Sequence, residues 1–162
     1  MQLTIDNRET EIKKYFENNN YENVKYENMD IGDLRIDFNN QLICIFERKT
    51  IEDFAASIKD GRYREQKQRL IDNCTKEKII YLIEGDLTIN NSSYSFNKVS
   101  KDTIYSSIIN LYLRDNINMF HSNSVKETIE FIEQFYKKIK KQGLEFLNNK
   151  SSYQENLLKT KS

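Results

Sequence analysis

The sequence predicts an α/β domain with a central mixed β-sheet flanked by helices. Three observations carry this expectation. Apolar runs of strand length recur along the chain, segments with apolar residues at helical spacing stand between them, and no internal repeat or Pro- or Gly-rich linker divides the whole. A length of 162 residues suits one compact core and is short for two.

Taken in order, residues 3–5 read as a short strand and 8–19 as a helix with Ile12, Tyr15 and Phe16 on one side. Strands are expected at 24–29 and 34–38, the second alternating between apolar and charged side chains as a half-buried strand does. The continuous apolar run 42–46 predicts a buried strand. A helix over 51–60 opens on Thr50, with Asp53 three residues on as in a capping box, and stops at Gly61. A further helix covers 63–73, a buried strand 78–83, and a polar loop 90–97. Helix 101–113 places Ile104, Ile108 and Leu111 together, and a short strand at 117–120 precedes a last helix opened by Ser124. In that helix Ile129, Ile132, Phe135, Tyr136 and Ile139 form an apolar stripe, expected as core or dimer face, and residues 148–162 read as a polar, flexible tail beyond a domain at 1–147.

Composition narrows the function. Twenty-five Lys and Arg balance 25 Asp and Glu, so contact with nucleic acid would need a local basic face rather than bulk charge. No stretch reaches the roughly 20 apolar residues of a membrane span, which predicts an intracellular protein of cytoplasm or nucleus with no membrane partner. Cys44 and Cys74 have no Cys or His at metal-ligand spacing and read as ordinary thiols. His121, the single histidine, excludes His-pair chemistry and reads as a surface residue.

The chemistry concentrates where the apolar strand 42–46 ends in Glu47-Arg48-Lys49. Side chains two apart in a strand share a face, so Glu47 and Lys49 point together and Arg48 away. Asp33 joins them only in one hairpin register. A two-residue loop at Asn39-Asn40 pairs Phe38 with Gln41 and sets Asp33 opposite Phe46. A three-residue loop, Asn39-Asn40-Gln41, pairs Asp33 with Glu47 and gathers Leu34, Ile36, Phe38, Leu42, Cys44 and Phe46 on one apolar face, so it is the expected turn. Facing carboxylates repel unless a cation lies between them, and their hard oxygens suit Mg²⁺ or Mn²⁺. A cation held by Asp33 and Glu47, with Lys49 beside the phosphate, is equipment for phosphodiester hydrolysis.

Gly32-Asp33 and Glu47-Arg48-Lys49-Thr50-Ile51-Glu52-Asp53, with Asp6-Asn7-Arg8-Glu9 before them and Gly61-Arg62-Tyr63-Arg64-Glu65-Gln66 after, resemble the XPF/Mus/Hef family of structure-specific nucleases, within the PD-(D/E)xK group. The resemblance covers about residues 2–140. It implies a restriction-endonuclease-like nuclease fold, metal-dependent cutting of branched or flapped DNA in repair or recombination, and a homodimer or a heterodimer with a related subunit. It also implies Asp33 and Glu47 as metal ligands, Lys49 as catalytic lysine, and Asp6, Glu9 and Asp53 as further acids. Arg48 would lend its backbone carbonyl to the metal or its side chain to structure. Asp6 and Glu9 also fit a helix N-cap and its capping partner, and Asp53 a cap for the helix begun by Thr50. Arg62, Arg64, Lys67 and Arg69, on the helix after the motif, are candidates for DNA phosphates, or for a solvated face. Glu84, at a strand end, could reach the site or face solvent. The tandem helix-hairpin-helix domain usual in the family has no counterpart after Gly143, which leaves substrate choice open. A Holliday-junction resolvase-like enzyme and a non-catalytic DNA-binding subunit are the alternatives.

Overall fold

The computed structural model describes residues 1–88 and 99–148. The polar loop expected at 90–97 and the tail beyond 148 lie outside them. Six strands form one mixed sheet in the order β2-β1-β3-β4-β5-β6. They are β1 (Gln2–Asp6), β2 (Val24–Glu27), β3 (Leu34–Phe38), β4 (Gln41–Thr50), β5 (Ile79–Glu84) and β6 (Asn118–Ser122). The antiparallel segments are β1 with β3 and β3 with β4, and the remaining neighbours run parallel. The helices are α1 (Thr10–Asn18), α2 (Ile51–Lys59), α3 (Arg62–Asn73), α4 (Lys101–Leu113) and α5 (Val125–Asn148), the last kinked at Gly143. None of the helices among the described residues is long and apolar enough to cross a membrane.

Each face of the sheet has its own core. On one, α1 and α5 pack Ile12, Phe16, Ile132 and Tyr136 against Leu3, Ile5, Leu34, Ile36, Phe46 and Leu82. On the other, α2, α3 and α4 pack Phe54, Leu70, Ile104 and Leu111 against Ile45, Ile79, Tyr81 and Ile83. The stripe from Ile129 to Ile139 is therefore core, with Ile132 fully buried, and no dimer face. The face of α4 away from the sheet is apolar and exposed instead, at Tyr105, Ile109, Tyr112 and Leu113.

The β3–β4 hairpin corrects the expected turn. Phe38 pairs with Gln41 across a two-residue loop, and Asn39 and Asn40 both take positive φ (51° and 63°), as a type I′ turn requires. That turn alone would part the two acids. A bulge then inserts Ile43, so that Asp37 pairs with Leu42 but Ile36 pairs with Cys44 and Leu34 with Phe46. The next position outward sets Asp33 opposite Glu47. The bulge also sends Leu42 to the α2–α4 side while Ile43 joins Cys44 on the other, so the expected apolar face holds except at Leu42.

Candidate active site

Asp33 is delivered by Gly32. Gly32 has φ +73°, and a Cβ there would stand 2.5 Å from Ile45 Cγ1 and 3.3 Å from the Phe46 carbonyl, so another residue would be both strained and crowded. Asp33 accepts the Arg48 amide on Oδ2 at 2.8 Å and gives its own amide to Phe46 at 2.8 Å. The carboxyl is thus pinned across the end of β4, on the same face as Glu47.

Asp33 and Glu47 line one cleft of about 170 Å³ with Arg8, Asp30, Gln66 and Arg69. Burial, then repulsion by Glu47, pushes the Asp33 carboxyl up to about 7, against the Arg48 amide and Lys49, which favour its charged form. Burial raises Glu47 too, offset first by Lys49 and also by Arg8 and Arg69. Two half-buried carboxylates thus resist being charged together, while the cations near them favour their charged forms. Among the described residues no group of three or more His, Cys, Asp or Glu side chains converges as a metal cage.

The other expected acids have different work. Asp6 is fully buried and spent on Arg8: Oδ1 accepts the Arg8 amide and Nε at 2.8 and 2.9 Å, while Oδ2 accepts Nη2 at 2.6 Å and the Met29 amide at 3.1 Å. The Arg8 side chain is the main cause holding Asp6 down at about 2. Its amide bonds the Asp33 carbonyl at 2.9 Å, so Asp6 braces the strand that carries Asp33. Glu9 stands at the N-cap position of α1 without a side-chain cap bond, which rules out the capping-box alternative. It accepts from Arg48 Nη1 at 2.7 Å, and burial then the Asp33 charge raise its pKa. Asp53 is exposed, receives the Thr50 cap on its amide at 3.1 Å, and does not line the cleft.

Arg48 points to the opposite side from Glu47, as the strand period requires. There it grips Glu84 with Nε and Nη2 at 3.0 and 2.6 Å and Glu9 with Nη1, while Thr128 donates to Glu84 at 2.6 Å and pairs with Ser122 at 2.5 Å. Glu84 is 8% exposed and belongs to this brace, not to solvent. The guanidinium therefore ties α1, β5 and α5 to the strand end whose amide holds Asp33.

Of the expected phosphate contacts, Arg69 lines the cleft and Arg62 and Arg64 are exposed on the first turn of α3. Arg62 pairs with Asp60 at 2.9 Å. Lys67 is the exception: it is 6% exposed, bonds Asp115 at 2.7 Å and lies 4.9 Å from the Tyr63 ring centroid, so it is an internal ion pair. His121 is half-buried, its Nε2 2.6 Å from the Gly85 carbonyl. Cys44 and Cys74 are free thiols, and burial pushes Cys44 up to about 12. Arg8, Asp30 and Gln66 were not assigned roles from sequence, although Arg8 and Gln66 stand inside the quoted motifs.

The model of the ERCC4 domain matches residues 5–135. A probable crossover junction endonuclease mus81 of Dictyostelium discoideum is 33% identical over 150 residues, 79% of this chain and 16% of that protein. An ERCC4 domain-containing protein of African swine fever virus is 36% identical over 97 residues, 59% of this chain and 25% of that protein. The chain thus spans about a sixth and a quarter of the lengths of these relatives. Among solved structures, XPF from Aeropyrum pernix superposes with a TM-score of 0.69 at 22% identity, covering 99% of this chain and 73% of that one, and so shares its fold. With four fifths of its length matched by that model, and with Gly32, Asp33 and Glu47 of its motifs lining one cleft, the chain belongs to the ERCC4 domain family.

Proposed function

We propose that residues 1–147 form a nuclease unit that hydrolyses phosphodiester bonds in branched or flapped DNA with the help of Mg²⁺ or Mn²⁺. The observation that carries this reading is the pair of mutually repelling acids, Asp33 and Glu47, in a cleft lined by Arg8 and Arg69. Family membership supports it, as do the description of one relative as a crossover junction endonuclease and of a solved relative as a complex with DNA.

The residues present fit a small hard cation. Two carboxylates of raised pKa supply oxygen ligands, and an ion that retains several waters needs no larger cage. Bound there, such an ion would lower the pKa of a water and polarise the phosphate. The chain's own part is positional and electrostatic. The Arg48 amide fixes one Asp33 oxygen and leaves the other for a ligand. Lys49, on the Glu47 face, offsets charge gathering on the phosphate. Arg69 and Arg8 at the rim hold flanking phosphates, with Arg62 and Arg64 along α3.

The exposed α4 face, with Ile109 51% and Leu113 79% exposed, would seat a second copy or a related subunit. Such work places the protein where DNA is, in cytoplasm or nucleus. The test is incubation of the pure protein with end-labelled flapped, nicked and four-way DNA in Mg²⁺, Mn²⁺ or EDTA, beside Asp33→Ala and Lys49→Ala. Metal-dependent cleavage lost in both variants is expected. Cleavage that survives both substitutions overturns the mechanism, and binding without cleavage assigns the chain to a non-catalytic subunit.

A further inference from the structure

Gln66 presents an unexplained feature of the cleft. Its Oε1 is buried and accepts no hydrogen bond, although a buried acceptor without a donor is costly and rare. Arg8 and Arg69 line the same cleft, yet Arg8 turns Nε and Nη2 to Asp6 and the Met29 carbonyl, Arg69 turns Nη2 to the Asp30 carbonyl, and neither donates to Gln66. The side chain sits on α3, half-buried, and lines the same cleft as Asp33 and Glu47. The other two partnerless buried polar atoms among the described residues, the hydroxyls of Tyr63 and Tyr81, belong to side chains packed in the α2–α4 core.

The missing donor has a natural source. A hard cation held by only two carboxylates retains several waters. Each such water carries two acidic protons, and ions of this kind depend on outer partners that accept them and fix the waters' orientation. Guanidinium groups cannot do so, because they carry no acceptor. A neutral amide oxygen in the wall can.

We propose that Gln66 accepts, through Oε1, a hydrogen bond from a water on the divalent cation held by Asp33 and Glu47, and so is a positioning residue for that cation and its attacking water. This rests on the metal-dependent reading above. It separates Gln66 from its neighbours on α3, where Arg69 lines the cleft as a cation and Lys67 is internal. It also gives stability and function opposite signs. An apolar side chain of similar size at 66 removes a buried unpaired acceptor, which does not harm the metal-free fold, and removes a partner of the cation.

The experiment compares wild type, Gln66→Leu and Gln66→Glu in three measurements. They are thermal unfolding in EDTA, Mn²⁺ affinity by electron paramagnetic resonance without DNA, and single-turnover cleavage of flapped DNA. Gln66→Leu is expected to melt at or above the wild-type temperature in EDTA. It is expected to bind Mn²⁺ roughly tenfold more weakly and to cut about 10–100-fold more slowly. Gln66→Glu, which keeps an acceptor, is expected to restore Mn²⁺ binding. Equal Mn²⁺ affinity in wild type and Gln66→Leu, or a lower melting temperature for Gln66→Leu in EDTA, overturns the proposal while leaving the nuclease reading intact. Absence of Mn²⁺ binding in the wild type overturns the metal reading and this inference together.

Discussion

Asp33→Asn should make the metal-free protein more stable at alkaline pH while removing its cation site. In the folded chain the Asp33 carboxyl titrates at about 7, against 3.8 for the free side chain, because burial and the Glu47 charge oppose its ionisation. Below about pH 4 both folded and unfolded chains hold the proton. Between 4 and 7 the unfolded chain releases it first, so folding becomes less favourable as pH rises, and above 7 the full penalty is present. A gap of this size corresponds to at most about 4 kcal/mol. Asparagine has no charge to desolvate and can still accept the Arg48 amide, but its own buried amide costs something. A net gain of about 2 kcal/mol at pH 8, or roughly 4–8 °C in melting temperature, is the expected outcome. At pH 4 the gain should vanish. Urea and thermal unfolding in EDTA at the two pH values check this, and a variant less stable than wild type at pH 8 would refute the claim that the two carboxylates repel.

Three further outcomes follow from the same geometry. Arg48→Ala leaves Glu84 and Glu9 buried without their cation and should cost about 3–5 kcal/mol in chemical denaturation, far more than an exposed arginine such as Arg64. Arg69→Ala should weaken DNA binding and lower the slope of affinity against salt by about 1, whereas Lys67→Met should destabilise the fold and leave that slope unchanged, as measured by fluorescence anisotropy at several ionic strengths. Ile109→Glu with Leu113→Asp should shift any dimer to monomer in sedimentation velocity, raising its dissociation constant at least about tenfold, and leave the melting temperature of the monomer unchanged.

That Asp33 and Glu47 line one cleft was legible in the sequence because strand periodicity and an apolar-to-charged transition are local signals. The route to it was not. Hydrophobic sorting demanded that Asp33 oppose Glu47 and was right, but the turn that Asn39-Asn40 prefers is the short one, and the extra residue is absorbed by a bulge at Ile43. A bulge between apolar residues leaves no mark in composition. Lys67 looked like its neighbours on the helix because its partner, Asp115, lies 48 positions away. The α5 stripe was ambiguous for the same reason, since an amphipathic face states that it will be covered and not by what. Glu84 could be placed at a strand end from sequence, but its partners Arg48 and Thr128 became visible only when β5 and α5 were brought to the back of β4. Asp6 shows the reverse case: its place in a motif suggested the site, and the fold spends it on Arg8.

The central claim is that Asp33 and Glu47 jointly hold one divalent cation, and calorimetric titration of the protein with Mn²⁺ in two buffers of different ionisation enthalpy tests it most directly. One site, with protons released on binding near pH 7 and little release at pH 8, is the expected result, and Asp33→Asn should abolish it. Equal Mn²⁺ binding by wild type and Asp33→Asn, with no proton release at pH 7, would contradict the account.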